Sequence, residues 1–230
     1  MSLANLFHPQ QPSITHEARK KVSYIEVAPN DRLKEYVYCY WRMNTTEKLE
    51  HPFTYRVVSD GCIDILFEAS CLDRIFITGF SKSFVQFDLG NTFDYIGIRF
   101  LPGGFPLMFN ISASAFINQF LELSKYLPEL SAAIHESGKE QADLDYYRSV
   151  FDQIFLAVVA SASSLVTPDP RVLNAMKVIL KSGGNVDIKS LDVGLSVRQL
   201  RRLFRFYYGV PPKTFCQVVR FQNILNSKPS

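Results

Sequence analysis

The segment that decides the C-terminal fold is LSVRQLRRLFRFYYGVPPKTF, Leu195–Phe215, which places four arginines within eight residues. Ser196 followed three residues later by Gln199 has the S-x-x-Q pattern of a capping box, which begins a helix. Gly209 suits the left-handed position just past a helix end, and the prolines that follow it cannot continue the helix. The segment therefore predicts a helix over residues 197–208.

The arginines of this predicted helix share one face, which is formed by Arg198, Arg201, Arg202 and Arg205. At roughly 100° per residue these side chains lie within an arc of about 100°, and the apolar residues occupy the opposite side. A solvated helix face usually mixes charges, because Glu and Lys pair at i, i+4. Residues 193–230 contain seven Lys/Arg and no Asp or Glu. We therefore expect double-stranded DNA to neutralise this face by counterion release.

The charge of the chain is divided unequally between its two parts. The whole sequence carries +3, but residues 168–230 contain 11 Lys/Arg and 3 Asp/Glu, which gives +8. The preceding 167 residues contain 14 basic and 19 acidic side chains, which gives −5. This asymmetry indicates a polyanion-binding unit joined to a part with another task.

The sequence before the arginine helix predicts two further helices. DPRVLNAMKVILKSG, residues 169–183, has Asp169 as its cap and inward-facing Val172, Ala175, Met176 and Ile179. DIKSLDV, residues 187–193, predicts a second short helix capped by Asp187, and a turn at Gly194 follows. A helix, a Gly-containing turn and a capped basic helix form a helix-turn-helix, whose last helix enters the major groove.

The segment GLSVRQLRRLFRFYYGVPPKTFCQVVRFQNIL resembles the first of the two helix-turn-helix units of AraC/XylS-family transcription regulators, over residues 173–225. DGCIDILF (60–67) and GIRFLPGGF (97–105) are similar to an N-terminal sensor module found on some members of that family. The resemblance implies that Arg198, Arg201 and Arg202 read bases. It also implies that phosphates are contacted by Ser196, Gln199, Arg205, Lys213 and Arg220. Such contacts position a protein on DNA without specifying sequence.

Two features depart from the family pattern. The segment before Gly194 is shorter than the usual spacing, and a second helix-turn-helix does not follow before Ser230. The chain is then either truncated, which we favour, or a natural variant with a single unit. We expect an isolated unit to bind DNA weakly, with few phosphate contacts and a shallow salt dependence.

The first hundred residues have the composition of an antiparallel β-rich domain, with short aromatic and β-branched runs separated by turn residues. Ser59-Asp60-Gly61 between two apolar runs predicts a hairpin. After LPGGF the spacing becomes helical, and SASAFINQFLELSKYL is predicted to be a helix with Phe116, Phe120 and Leu123 on one face. Residues 146–161 predict another helix.

A small-molecule pocket is predicted in the β-rich part, and its candidate residues are Trp41, Arg56, Asp60, Asp64 and Arg99. Trp41 as a core residue, with both aspartates serving the hairpin, is the alternative interpretation. Arg99 lies in an apolar strand, where an unpaired charge is costly, so we expect it to pair with a carboxylate such as Asp64 or one from an effector.

The residue pattern does not indicate catalysis, a metal or a cofactor, because the four histidines are scattered and neither G-x-S-x-G nor a P-loop is present. The four cysteines show no CxxC spacing and are expected to be buried thiols in a reducing compartment. The longest apolar run, 154–166, is too short to span a bilayer. We therefore expect a cytoplasmic protein without a membrane partner.

These observations predict an α+β protein with a β-rich, barrel-like or sandwich-like N-terminal domain and an all-α helix-turn-helix unit. The predicted divisions are a tail (1–20), a sensor or dimerisation domain (21–128), a helical connector (129–167) and a partial DNA-binding domain (168–230). The predicted function is effector-controlled, sequence-specific transcription regulation without enzymatic activity, and a homodimer is a further expectation. The alternative is a ligand-binding or dimerisation module whose helix-turn-helix no longer binds DNA.

Overall fold

A computed structural model describes residues 3–11, 20–81, 83–138, 142–161 and 169–227. It confirms the α+β class, with an antiparallel β-rich N-terminal part and a mostly helical C-terminal part. The strands are β1 (Val22–Val27), β2 (Val37–Thr45), β3 (Thr54–Val57), β4 (Ile63–Glu68), β5 (Cys71–Thr78), β6 (Val85–Asp88), β7 (Asp94–Phe100) and β8 (Phe120–Glu122). The helices are α1 (Gly104–Phe109), α2 (Pro128–Glu136), α3 (Leu144–Ala160), α4 (Pro170–Lys181), α5 (Val197–Tyr208) and α6 (Pro212–Asn226).

The strands form one large and one small antiparallel sheet. The large sheet has the order β1-β2-β7-β4-β5-β8, and the small sheet pairs β3 with β6. Successive side chains of a strand point to opposite faces, so the large sheet has two different surfaces. One surface is an apolar core against α3, where the Tyr40 and Phe151 rings lie 5.2 Å apart. The other surface, which carries Trp41 and Arg99, faces the small sheet.

The predicted hairpin at Ser59–Gly61 is wrong. A turn is present, since Asp60 accepts a hydrogen bond from the Cys62 amide at 2.9 Å. The strands on its two sides nevertheless belong to different sheets, and they differ in burial, since β3 is half-exposed whereas β4 is mostly buried. β4 pairs with β5 and β7 in the centre of the large sheet, and β3 pairs with β6 above it.

The predicted helix over SASAFINQFLELSKYL is also wrong. This segment forms a 3-10 helix (Ala113–Phe116), strand β8 and a second 3-10 helix (Leu123–Lys125). Asn118 has a φ of 51°, in the left-handed region, which interrupts any continuous helix. Beyond it, Phe120 pairs with Thr78 of β5 and its ring stacks on Phe76 at 4.5 Å.

Helix α3 confirms the predicted helix at residues 146–161, and it belongs to the core of the β-rich part. Its Tyr147, Phe151 and Phe155 are almost fully buried in the same cluster as the strand residues. Part of the predicted connector is thus packed on the sheet. Its residues 139–141 and 162–167 lie outside the described residues, as does Pro168 of the next predicted domain. The division of the chain into domains stays a prediction.

Helices α4, α5 and α6 pack around a second apolar core. The four residues predicted to face inward on α4 are all buried. The segment 3–11 of the predicted tail also contributes to this core, since Phe7 is buried and its ring lies 6.3 Å from that of Phe215. Residues 12–19 of that tail lie outside the described residues.

The short helix predicted at residues 187–193 is absent, and the segment forms a turn instead. The Asp187 side chain accepts a hydrogen bond from the Lys189 amide at 3.0 Å, and its carbonyl accepts one from the Ser190 hydroxyl at 2.9 Å. Such local bonds compete with helix formation. The described part of the unit therefore has α4, an irregular connection and α5, followed by α6.

Candidate nucleic-acid interface and ligand cavity

Helix α5 presents an uncompensated cationic face. The exposed side chains of this arginine face are Arg198, Arg201, Arg202 and Arg205. Within the described ranges, no acidic side chain lies within 4.0 Å of any of these four guanidinium groups. The opposite face buries Leu200, Phe204, Tyr207 and Tyr208. The predicted amphipathic division of this helix is confirmed.

Local hydrogen bonds fix both ends of α5. The Ser196 hydroxyl accepts from the Gln199 amide at 3.3 Å, and the Gln199 side chain accepts from the Ser196 amide at 3.0 Å. Gly209 ends the helix with a φ of 77°. The predicted boundaries and the capping box are therefore confirmed, whereas phosphate contacts by Ser196 and Gln199 stay predictions.

Arg171 anchors the turn before α5, a role that the sequence analysis missed. Its guanidinium pairs with Asp169 at 2.8 Å and donates to the Gly194 carbonyl at 3.1 Å. The hydrogen bond from Arg171 lowers the pKa of Asp169 below its ordinary value. The hydrogen bond from Arg171 to Gly194 links the first turn of α4 to the segment that positions Ser196, and the ion pair with Asp169 orients the Arg171 guanidinium.

The other two residues predicted to contact phosphates lie on α6. Lys213 is exposed in the first turn of this helix. Arg220 is also exposed, and one of its terminal nitrogens donates to the Gly184 carbonyl. This bond ties α6 to the end of α4, so part of the Arg220 guanidinium already has a structural role.

A cavity of about 190 Å³ lies between the two sheets. Its apolar wall includes the side chains of Trp41, Met43, Tyr55, Phe87, Tyr95 and Phe120. Gly97 allows the Trp41 indole to lie on β7, because a Cβ atom at Gly97 would be 2.2 Å from the indole ring. Met43 and Tyr95 lie two positions from Trp41 and Gly97 on β2 and β7, respectively. They therefore point to the same face of the sheet and line the same wall.

Three buried residues form the charged part of the cavity wall among the described residues. Asp64 accepts hydrogen bonds from the Trp41 indole at 2.9 Å and from Arg99 Nε at 3.0 Å. Asp60 lies 3.9 Å from Arg99 Nε. Burial raises the pKa of Asp64 to about 6, although Arg99 acts to lower it. The expected pairing of Arg99 with Asp64 is confirmed.

The structure brings together four of the five predicted pocket residues and excludes Arg56. Arg56 is exposed and lies opposite Gln86 in the small sheet. Strand alternation explains the difference, because its neighbours Tyr55 and Val57 point to the cavity. The sequence does not indicate the aromatic residues of β3 and β6, because it does not predict that these two strands pair. Phe120 of β8 is missed because its segment is predicted to be a helix.

The turn at residues 58–61 connects the cavity to α6. Asp60 accepts from Gln11 Nε2 at 2.7 Å, while the neighbouring Ser59 carbonyl accepts from Gln222 Nε2 at 2.9 Å. Gln222 is 1% exposed, and its side-chain oxygen also accepts from the Gln10 amide at 2.7 Å. A displacement of this turn would therefore strain or break the hydrogen bond between Ser59 and Gln222 of α6.

Residues 25–122 match a protein-family model described as a domain of unknown function, DUF6597. This range contains every residue of the cavity wall. It ends at the last residue of β8, so the match does not include α4, α5 or α6. No curated protein and no solved structure gives a significant match to the chain.

The described residues contain no group of three or more His, Cys, Asp or Glu side chains arranged to hold a metal ion. None of the described helices is long and apolar enough to cross a membrane. All four cysteines are free, and three are buried as expected, but Cys71 is exposed at the start of β5.

Proposed function

We propose that the protein is a DNA-binding transcription regulator of the AraC/XylS type, controlled by a small molecule in the N-terminal cavity. The observation that carries this proposal is the exposed arginine face of α5. Like charges at i, i+3 and i, i+4 repel one another, so this face lowers the stability of the free protein. A DNA backbone relieves this repulsion, because each phosphate contact releases condensed counterions.

The arginine side chain also provides a means of reading sequence. Its guanidinium donates two parallel hydrogen bonds to the O6 and N7 atoms of guanine in the major groove. In this proposal Arg198, Arg201 and Arg202 contact base edges. Phosphate contacts then fall to residues flanking them, namely Ser196, Gln199, Arg205, Lys213 and Arg220.

The cavity provides a site at which an effector could act on DNA binding. A ligand changes a conformational equilibrium only through different affinities for the two states. Asp60 lines the cavity, and its neighbour Ser59 is bonded to Gln222 of α6. A ligand that moves the 58–61 turn would therefore change the position of α6 and the presentation of α5. Both segments that resemble a sensor module, 60–67 and 97–105, contribute to the cavity wall.

In vitro selection from a randomised duplex pool tests the DNA-binding part of the proposal. We expect enrichment of a motif that contains guanines, and binding to a mixed-sequence duplex that weakens as salt increases. Fluorescence anisotropy of a labelled duplex measures the second property. Binding that does not change with salt, together with no enriched motif, would contradict the proposal.

The alternative function is a ligand-binding or dimerisation module without DNA binding. The turn at residues 187–190 favours this alternative, because it replaces the helix that normally supports a recognition helix. The two functions differ in a simple way. A module of this kind would bind small molecules in the cavity and show no salt-sensitive affinity for DNA.

A further inference from the structure

The wall of the N-terminal cavity is rich in aromatic rings. Trp41 and Tyr95 come from the large sheet, Phe120 from its edge strand, and Tyr55 and Phe87 from the small sheet. An aromatic face carries partial negative charge, so it attracts a cation placed within about 6 Å of its centre. Rings on both sheets provide such faces on opposite sides of one small space.

Among the described residues of the same wall, the charged side chains have an excess of negative charge. Two carboxylates, Asp60 and Asp64, accompany one guanidinium, that of Arg99. Arg99 also has Glu26 at 3.9 Å from its Nη1 atom. Its positive charge is therefore already opposed by three carboxylates. A bound anion would add to a negative site, whereas a bound cation would neutralise it.

Of the two carboxylates in the cavity wall, Asp60 is the one that has no charged hydrogen-bond donor among the described residues. It accepts from Gln11 Nε2 at 2.7 Å and from the Cys62 amide at 2.9 Å, and both donors are neutral. Its distance of 3.9 Å from Arg99 Nε is beyond hydrogen-bond range. These neutral donors fix Asp60 in position, and its cationic neighbour among the described residues, Arg99, is shared with Asp64 and Glu26. Burial and the neighbouring Asp60 carboxylate both raise the pKa of Asp64, whereas Arg99 lowers it.

We propose that this cavity binds an organic cation with a small aromatic or apolar body, either a protonated amine or a quaternary ammonium ion. The positive group lies near Asp60 and Asp64, and the apolar body contacts the rings of the two sheets. A cavity of about 150 Å³ can bind benzene, so the space of about 190 Å³ holds one ring with a short arm. This inference rests on the effector role proposed above and specifies its ligand class.

The natural fluorescence of Trp41 provides the assay, because the chain has one tryptophan and it lines the cavity. Four probes of similar size but different charge are titrated without DNA: benzylamine, benzyltrimethylammonium, benzyl alcohol and benzoate. We expect the two cations to bind at least about tenfold more tightly than the alcohol, and benzoate to bind most weakly. Isothermal titration calorimetry measures the same affinities independently of the fluorophore.

Two variants examine the contacts separately. Asp60→Asn keeps the shape of the side chain and removes its charge, so cation affinity should fall by about tenfold while the alcohol affinity changes little. Asp88→Asn is the matched control, because Asp88 is exposed at the end of β6 and is not part of the cavity wall. Phe87→Leu removes one aromatic face but keeps an apolar side chain, and it should weaken cations more than the alcohol.

The inference is overturned if benzoate or benzyl alcohol binds as tightly as the cations, or if no probe binds to the wild-type protein. Circular dichroism shows whether each variant folds. If Asp60→Asn does not fold, the comparison of the charged and neutral probes on the wild-type protein still tests the proposal. These measurements contain no DNA. Failure of the probes to bind as expected therefore contradicts the ligand class and not DNA binding. Failure of the salt titration likewise contradicts DNA binding and not the ligand class.

Discussion

Removal of the arginine face of α5 should abolish most of the salt-dependent affinity for DNA. The perturbation is a fourfold change to glutamine at Arg198, Arg201, Arg202 and Arg205. Each phosphate that a protein neutralises contributes about −0.9 to the slope of log K against log salt concentration. A mixed-sequence duplex lacks the preferred bases of Arg198, Arg201 and Arg202, so in this assay we expect these three guanidinium groups, like that of Arg205, to neutralise phosphates. Each contact is thus worth about 3.5-fold in affinity between 50 and 200 mM salt, and four contacts about 150-fold.

This prediction assumes that the variant keeps its fold, and the structure supports that assumption. All four side chains are exposed, and none has an ion-pair partner among the described residues. Exposed substitutions of this kind usually change the free energy of unfolding by less than about 0.5 kcal/mol. Relief of repulsion between neighbouring arginines acts in the stabilising direction.

Fluorescence anisotropy of a labelled mixed-sequence duplex, measured at several salt concentrations, determines the slope. The matched control is Arg32→Gln, since Arg32 is an exposed arginine before β2, on the β-rich part. The control should keep the wild-type slope of log K against log salt concentration. In the fourfold variant the magnitude of this slope should decrease by up to about 3.6. An unchanged slope in the fourfold variant, or an equal loss in the control, would refute the assignment of α5 as the DNA-contacting helix.

Three further predictions concern the structural and electrostatic features described above. Ser196→Ala removes the cap of α5 and should lower the free energy of unfolding by about 1 kcal/mol in urea titration; no change would contradict the capping role. Gly184→Ala and Gly90→Ala introduce the same positive-φ strain of about 1–2 kcal/mol, but only at Gly184 would the new methyl group lie 2.4 Å from the Cys216 carbonyl. Thermal melting should therefore show a larger loss for Gly184→Ala, and equal losses would disprove the contact. Affinity for benzyltrimethylammonium should fall by about tenfold from pH 7.5 to 5, because protonation of Asp64 near pH 6 removes negative charge from the cavity; an affinity that rises on acidification would contradict this.

The sign of the pH effect follows from the groups that face Asp64. These are Arg99 on β7, Asp60 in the preceding turn, Cys39 on β2, Cys62 before β4 and Tyr55 on β3. Burial raises the pKa of Tyr55 to about 12 and raises the pKa of both thiols, so these three groups stay neutral from pH 5 to 7.5. The raised pKa of Asp64 also means that its ionisation destabilises the fold. That contribution disfavours folding as the pH rises from 3.8 through about 6.

The limits of α5 could be predicted because they depend on contacts between neighbouring residues. The capping box joins Ser196 to Gln199, and Gly209 adopts a conformation that few other residues tolerate. The same local chemistry was misread at Asp187, where side-chain bonds to the backbone form a turn and not the start of a helix. Asp, Ser and Asn favour both outcomes, so residue type alone did not distinguish them.

The charged core of the cavity was predicted in part. Arg99 in an apolar strand requires a carboxylate, because a buried unpaired charge is costly, and the predicted partner Asp64 accepts its hydrogen bond. The same argument does not apply to Arg56, which is predicted to line the pocket but is exposed outside the cavity wall. The face on which a strand residue lies depends on the partner of that strand, and β3 pairs with β6 across a long separation in sequence.

By itself, the sequence determined the α+β class, the helices α3, α4 and α5, and the cationic face of α5. These features follow from hydrophobic periodicity, capping residues and charge, which act within a few neighbouring positions. Only the tertiary structure decided which strands pair, which side chains enclose the cavity, and how Asp60 and Gln222 are linked through one turn. Those features depend on contacts between distant residues, and their energies depend on burial that no local pattern specifies.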